Sequence, residues 1–280
     1  LLGRAVVVFF LAGLATAQAM PTHSPVPGGV AVVAFDHAGD APPKAWYRNS
    51  RVLVTLHNGR WQALVGLPLD ASPGEHALQI ERAGQRESIA FTVMPKTYPV
   101  QKLTIPDKRK VDPTAEDLKR IRAEQEITAK VRTHWLEADS VDLGFVLPAD
   151  GPLSSRFGLR RVLNGQPRAS HTGLDLVVPR GTPIKSVAAG TVTNTGDYFF
   201  AGKTVFVDHG QGLITMYCHL DEISVEPGTK LARGQRLGLS GMTGRVTGPH
   251  LHWSVYLNGA VIDPELFIRV PQNVGAAAKR

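Results

Sequence analysis

His250-Leu251-His252-Trp253-Ser254-Val255-Tyr256-Leu257, running into Asn258-Gly259, decides how the second half of the chain is read. The run is rich in aromatic and aliphatic residues and ends on a turn dipeptide, so it reads as a β-strand. Side chains alternate along a strand, which puts both imidazoles on one face and Leu251 on the other, toward a core. Working outward, further strands are expected at 191–194, 204–208 and 214–220. Turns are marked by Asp208-His209-Gly210-Gln211-Gly212 and Glu226-Pro227-Gly228. No long helix is expected after Ser140. Residues 141–270 therefore read as an antiparallel all-β domain.

Residues 20–106 also carry a β pattern. Asn58-Gly59 between runs 51–56 and 61–67 is a strong hairpin signal, and Ala83-Gly84 between 77–81 and 88–93 marks a second hairpin. Several short strands at regular spacing suggest a small β-sandwich. A charged linker and helix occupy 107–140. Thr114 is the expected N-cap with Asp117 three residues on, and the helix should run to about Glu137. Leu118, Ile121, Ile127, Val131 and Trp135 form a partial apolar stripe, expected to pack on one or both domains. The fold class is mainly β.

Arg4 precedes a short apolar run at 5–14, followed by Ala17-Gln18-Ala19. This reads as a signal peptide at 1–19, shorter than the about 20 apolar residues of a membrane span. The expected location is the periplasm or cell envelope, with no stable membrane anchor after cleavage. Residues 271–280 read as a tail. The one cysteine, Cys218, excludes an internal disulfide and reads as a small core residue. An exported chain without disulfides fits a bacterial envelope. The net charge of +7 favours anionic partners such as wall polymer or lipid. Nucleic acid is not expected, because no basic run with interleaved aromatics and no recognition-helix pattern occurs.

Chemistry gathers in three motifs: His171-Thr172-Gly173-Leu174-Asp175, Tyr217-Cys218-His219-Leu220 and His250-Leu251-His252. Three protein ligands and a water are the usual catalytic zinc arrangement. His171 and Asp175 supply two ligands, and either His250 or His252 the third. An imidazole outside the ligand set can move protons, and His219 and the other histidine of the pair are the candidates. His209 sits in a turn signal and reads as structural.

Residues from about Gly151 to Phe267 resemble the lysostaphin-type zinc endopeptidases, which cut peptide cross-links in bacterial peptidoglycan. The matching pieces are Ser154-Ser155-Arg156-Phe157-Gly158, the His171 and His219 motifs, Pro179-Arg180-Gly181-Thr182-Pro183, Asp208-His209-Gly210, Gly241-Met242-Thr243-Gly244 and Gly248-Pro249-His250-Leu251-His252, in family order. The resemblance implies one zinc ion on His171, Asp175 and His252, with His219 and His250 as non-ligand catalytic histidines. It implies peptidoglycan as the partner and D,D-cross-links to diaminopimelate as the target. Some family members have lost ligands and activate amidases instead, so the alternative is a non-catalytic wall-binding regulator with a vestigial metal site. The residues before the peptidase resemble, more weakly, a small domain of exported relatives that could bind wall, cover the groove or act as a spacer. A regulatory envelope protein is a further possible partner.

Overall fold

The computed structural model describes residues 19–37, 42–82 and 84–268. The expected signal peptide, apart from Ala19, and the expected tail at 271–280 lie outside the described residues, as does Ala83 of the second hairpin turn. The chain is mainly β, and the α-helix among the described residues is Ala115–Arg132.

The Asn58-Gly59 hairpin forms as read. Leu53–His57 pairs antiparallel with Arg60–Gly66, and the two turn residues take φ of 51° and 75°. These left-handed angles match the twist of a two-residue hairpin. Val30–Phe35 completes a three-stranded sheet on the other edge of Arg60–Gly66. A four-stranded sheet holds the long hairpin Gly74–Arg82 and Gln85–Val93.

The three-stranded sheet is buried on both faces. Ala31, Val33, Val54, Ala63 and Val65 share one core with Leu78 and Ile80 of the four-stranded sheet. Val30, Leu53 and Leu64 belong instead to the core of the C-terminal half, with Leu174, Tyr217, Leu251 and Trp253. Period-two alternation therefore feeds two cores from one layer. Asn258, at the turn read from the sequence, clamps this layer: its side-chain oxygen accepts the Gly66 N–H at 2.6 Å, and its amide donates to the Gly66 carbonyl at 3.1 Å.

The C-terminal half is built on a large sheet in which Leu213–Ile223 lies between Gly202–Asp208 and Leu251–Leu257. Leu174–Leu176 adds to the far side of Leu251–Leu257. One pairing was not read from the sequence. Val100–Leu103 runs parallel to Arg160–Leu163, whose other neighbour is Gln166–Pro167. This ties the connecting segment to the front of the C-terminal half.

The helix starts as expected, with Thr114 and Asp117 forming a capping box. It stops at Arg132, short of Glu137. Beyond Thr133, tertiary contacts take over: the Arg51 guanidinium lies 4.2 Å from the Trp135 ring and the Leu136 carbonyl accepts from the Gln211 N–H. The expected stripe is only partly used. Ile121 is buried, but Leu118 and Ile127 stay exposed at 42% and 44%.

Asn258 also sits at φ 45°, so glycine keeps the turn and removes the clamp. Asn258→Gly is expected to lower stability by about 1–2 kcal/mol through the two lost hydrogen bonds, read as a lower urea midpoint. An unchanged midpoint would show that the clamp contributes nothing.

Candidate metal centre

Asp175 stands directly opposite His252 in the antiparallel pairing of Leu174–Leu176 with Leu251–Leu257. His171, just before the short strand, closes the group. His171 Nε2, Asp175 Oδ1 and His252 Nδ1 lie 2.8–3.0 Å from one another. The other ring nitrogens are engaged elsewhere: His171 Nδ1–H donates to the Arg156 carbonyl at 2.8 Å, and His252 Nε2 meets Ser254 Oγ at 2.9 Å. Such outer hydrogen bonds set the tautomer and aim the free nitrogen inward.

Burial would raise the Asp175 carboxyl, but hydrogen bonds from His171 and His252 outweigh it and hold the group well below the usual carboxylate range. Burial pushes the His252 imidazole down to about 4, against the pull of Asp175. At neutral pH the set is thus a carboxylate and a neutral imidazole with a second inward-facing nitrogen, the charge state in which such groups ligate metal. Once the inward imidazole nitrogens give up their protons, the same three atoms present lone pairs to one point, where a cation would offset their repulsion. Bonds of about 2.0–2.1 Å at tetrahedral angles would need edges of roughly 3.3 Å, a few tenths wider than those seen. The donor set fits a zinc ion.

Gly173 makes this convergence possible. A Cβ there would lie 2.3 Å from the Trp253 carbonyl oxygen and 2.9 Å from His252 Cε1. The glycine inside the motif lets the first ligand loop lie against the strand that carries the third.

His219 and His250 flank the group, with ring centroids 4.8 Å apart. His219 sits at a bulge: the neighbouring strand pairs Lys203 with Leu220 but Val205 with Tyr217. The extra residue takes φ 63°. This strained backbone lets Tyr217 and Leu220 both enter the core while His219 turns to the cleft. The Nδ1 atoms of His219 and His250 each meet a carbonyl at 2.8 Å, those of Thr243 and Gly248. Leu251 is fully buried, as strand alternation requires.

A cleft of about 320 Å³ opens over Asp175, His219, His250 and His252. Gln101, Leu103 and Ile105 of the connecting segment form one wall. Among the described residues, none from the strands between 30 and 93 lines it. Tyr198, Phe199 and Phe200 do not line it either; the first two are buried, and Lys110 and Arg245 lie over Phe199 and Phe200. His209 is a core residue, bonded to the Ala189 carbonyl and Thr215 Oγ1.

Sequence reading missed two charged residues of the cleft. Arg161 donates to Asp175 Oδ2 at 3.1 Å, leaving Oδ1 to the imidazoles. Arg245 lines the cleft wall. Neither sits in a spacing that marks it. Arg161 reaches the site through the Arg160–Leu163 strand, which only the topology places there.

Residues 169–264 match Peptidase family M23, and residues 23–96 match the Peptidase family M23 N-terminal domain. The peptidoglycan DD-endopeptidase ShyA of Vibrio cholerae is 44% identical over 112 residues, which are 40% of this chain and 26% of ShyA. ShyC of the same organism, also a peptidoglycan DD-endopeptidase, is 40% identical over 122 residues, 43% of this chain and 28% of ShyC. The matched stretch is thus about a quarter of these relatives' length. A crystal structure of a protein assigned to peptidase M23 from Pseudomonas aeruginosa covers 88% of this chain and 95% of its own, with 44% identity and a TM-score of 0.75.

The full chain is expected to bind one equivalent of zinc. Changes one shell out from a metal cost about 10–100-fold in affinity, so Asp175→Ala and His252→Ala should cost more than about a hundredfold. His219→Ala should leave affinity within a few fold. Competition with a chromophoric chelator reads all three; zinc loss in His219→Ala would move that residue into the ligand set.

Proposed function

Because the chain belongs to peptidase family M23, we propose that it is an exported zinc metalloendopeptidase of the periplasm or cell envelope, hydrolysing peptide cross-links of peptidoglycan as a D,D-endopeptidase in cell-wall remodelling. The observation that carries this reading is the convergence of His171, Asp175 and His252 at a cleft lined by the last two and by two further imidazoles. The wall-directed names of the matched relatives support the substrate class. The basic net charge of +7 suits an anionic polymer. Among the described residues no helix is long and apolar enough to cross a membrane.

A zinc ion bound here would supply a Lewis acid for the scissile carbonyl and bring a water's pKa to about 7. The chain's own residues do the rest. With Nδ1–H donated to a carbonyl, neutral His219 and His250 each keep a lone pair on Nε2. One imidazole takes a proton from the attacking water and, once protonated, delivers it to the leaving amine. The other stabilises the developing oxyanion only when its Nε2 carries a proton to donate, since a lone pair there would repel the charge. Burial, reinforced by His250 and His252, holds His219 well below the usual imidazole range. His219 therefore enters the reaction uncharged. Leu103, Ile105 and Val177 give the cleft apolar walls that exclude water from the peptide.

The test is a digest of purified peptidoglycan by the full chain, with and without chelator, read by mass spectrometry. Cross-linked dimers should collapse to monomers only without chelator. His219→Ala and His250→Ala should each lower kcat by about 10²–10⁴, the usual share of general acid–base catalysis, with zinc retained. Bound zinc without any cleavage would instead support the non-catalytic regulator of amidases.

A further inference from the structure

Charge in the cleft is unbalanced. The charged side chains lining it are Arg161, Asp175 and Arg245. Arg161 is already committed to Asp175. Arg245 has no carboxylate partner among the described residues. Its guanidinium lies 4.3 Å from the Phe200 ring and makes one long bond, 3.4 Å, to the Lys110 carbonyl. Burial, with Arg161 and Arg168 nearby, lowers it to about 10, so it is still a cation at neutral pH. A half-buried cation beside two others is costly to hold without an anion. Two more unpartnered polar atoms, Arg161 Nε and Gln101 Oε1, belong to residues of the same cleft. A bound metal ion would add further positive charge.

We propose that Arg245 is a specificity residue that receives a free carboxylate of the substrate, the one on the carbon bearing the scissile amide nitrogen. This rests on the function proposed above. When an acyl group is joined to one amine of diaminopimelate, the carboxylate on that same carbon stays free. It lies two bonds from the nitrogen that leaves. A planar guanidinium binds such a group by two parallel hydrogen bonds. The cleft then selects cross-links that carry this acid over neutral glycine bridges.

Two synthetic cross-linked peptides test this, one with the free carboxylate and one with its carboxamide. The full-length wild type should cleave the acid with a kcat/KM roughly ten- to hundredfold higher, the range of one hydrogen bond to a charged group. Arg245→Gln should cleave both peptides at the slower rate, and Arg245→Lys should keep part of the preference. Equal cleavage of the two by wild type overturns the proposal, with no variant involved. A preference that survives in Arg245→Gln, alongside a lowered melting temperature, also overturns it and makes Arg245 a strut for Phe200. Binding of the same two peptides to the zinc-loaded chain, followed by calorimetry, separates the two readings. If neither peptide is cut but the acid binds tighter through Arg245, the endopeptidase reading falls and the carboxylate site stands. If both are cut and bound alike, the reverse holds.

Discussion

The antiparallel register between Leu174–Leu176 and Leu251–Leu257 is the constraint on which the site rests. It puts Asp175 opposite His252, with Leu174 against Trp253 and Leu176 against Leu251. A slip of one residue would send His252 to the core face and Leu251 to the cleft. What resists the slip is burial on both sides: Leu174, Leu176, Leu251 and Trp253 are all within 1% of full burial. The hydrophobic layer beneath the sheet therefore specifies the polar geometry above it. Gly173 belongs to the same constraint, because the loop closes on the strand only where no Cβ intervenes.

A buried carboxylate in this position is costly unless it is fully engaged. Asp175 divides its two oxygens, Oδ1 toward His171 and His252 and Oδ2 toward Arg161. Each imidazole is in turn held by a carbonyl or hydroxyl outside the group. The partners of the two imidazoles are a backbone carbonyl and a short serine side chain, which have few ways to move. The His219 bulge adds local strain, which the Tyr217 hydroxyl, bonded to the Val187 N–H and Thr215, helps to hold in place.

The five histidine and aspartate positions were legible as candidates because each lies in a local motif, while their division into ligands and non-ligands rested on the family resemblance. His250 and His252 fall on one face of a strand, and Gly173 argues against a helix through His171. The Asn58-Gly59 hairpin was legible for the same reason. Arg161 and the wall formed by Gln101, Leu103 and Ile105 were not, because they come to the cleft through pairings between distant segments, and Arg245, although in the same stretch as His250, sits in no spacing that marks it. The end of the helix was misread for a related reason. Residues 133–137 continue the apolar stripe, yet Trp135 and Leu136 find better partners in Arg51 and Gln211. Local propensity yields there to tertiary contact. The bulge that reverses side-chain parity between Tyr217 and Leu220 leaves no mark in an alternation pattern.

The layer shared between the two cores has a consequence for the order of events in biosynthesis. A chain emerging from its N-terminus can finish the pairing of Val30–Phe35, Leu53–His57 and Arg60–Gly66 while residues beyond 141 are still unmade. At that stage Val30, Leu53 and Leu64 face water, since the side chains that cover them come from the later half. The nascent protein thus carries an apolar face for as long as the rest takes to arrive, a state open to aggregation or to chaperone capture. Any cleavage that separated the halves after folding would uncover that face again, on both fragments.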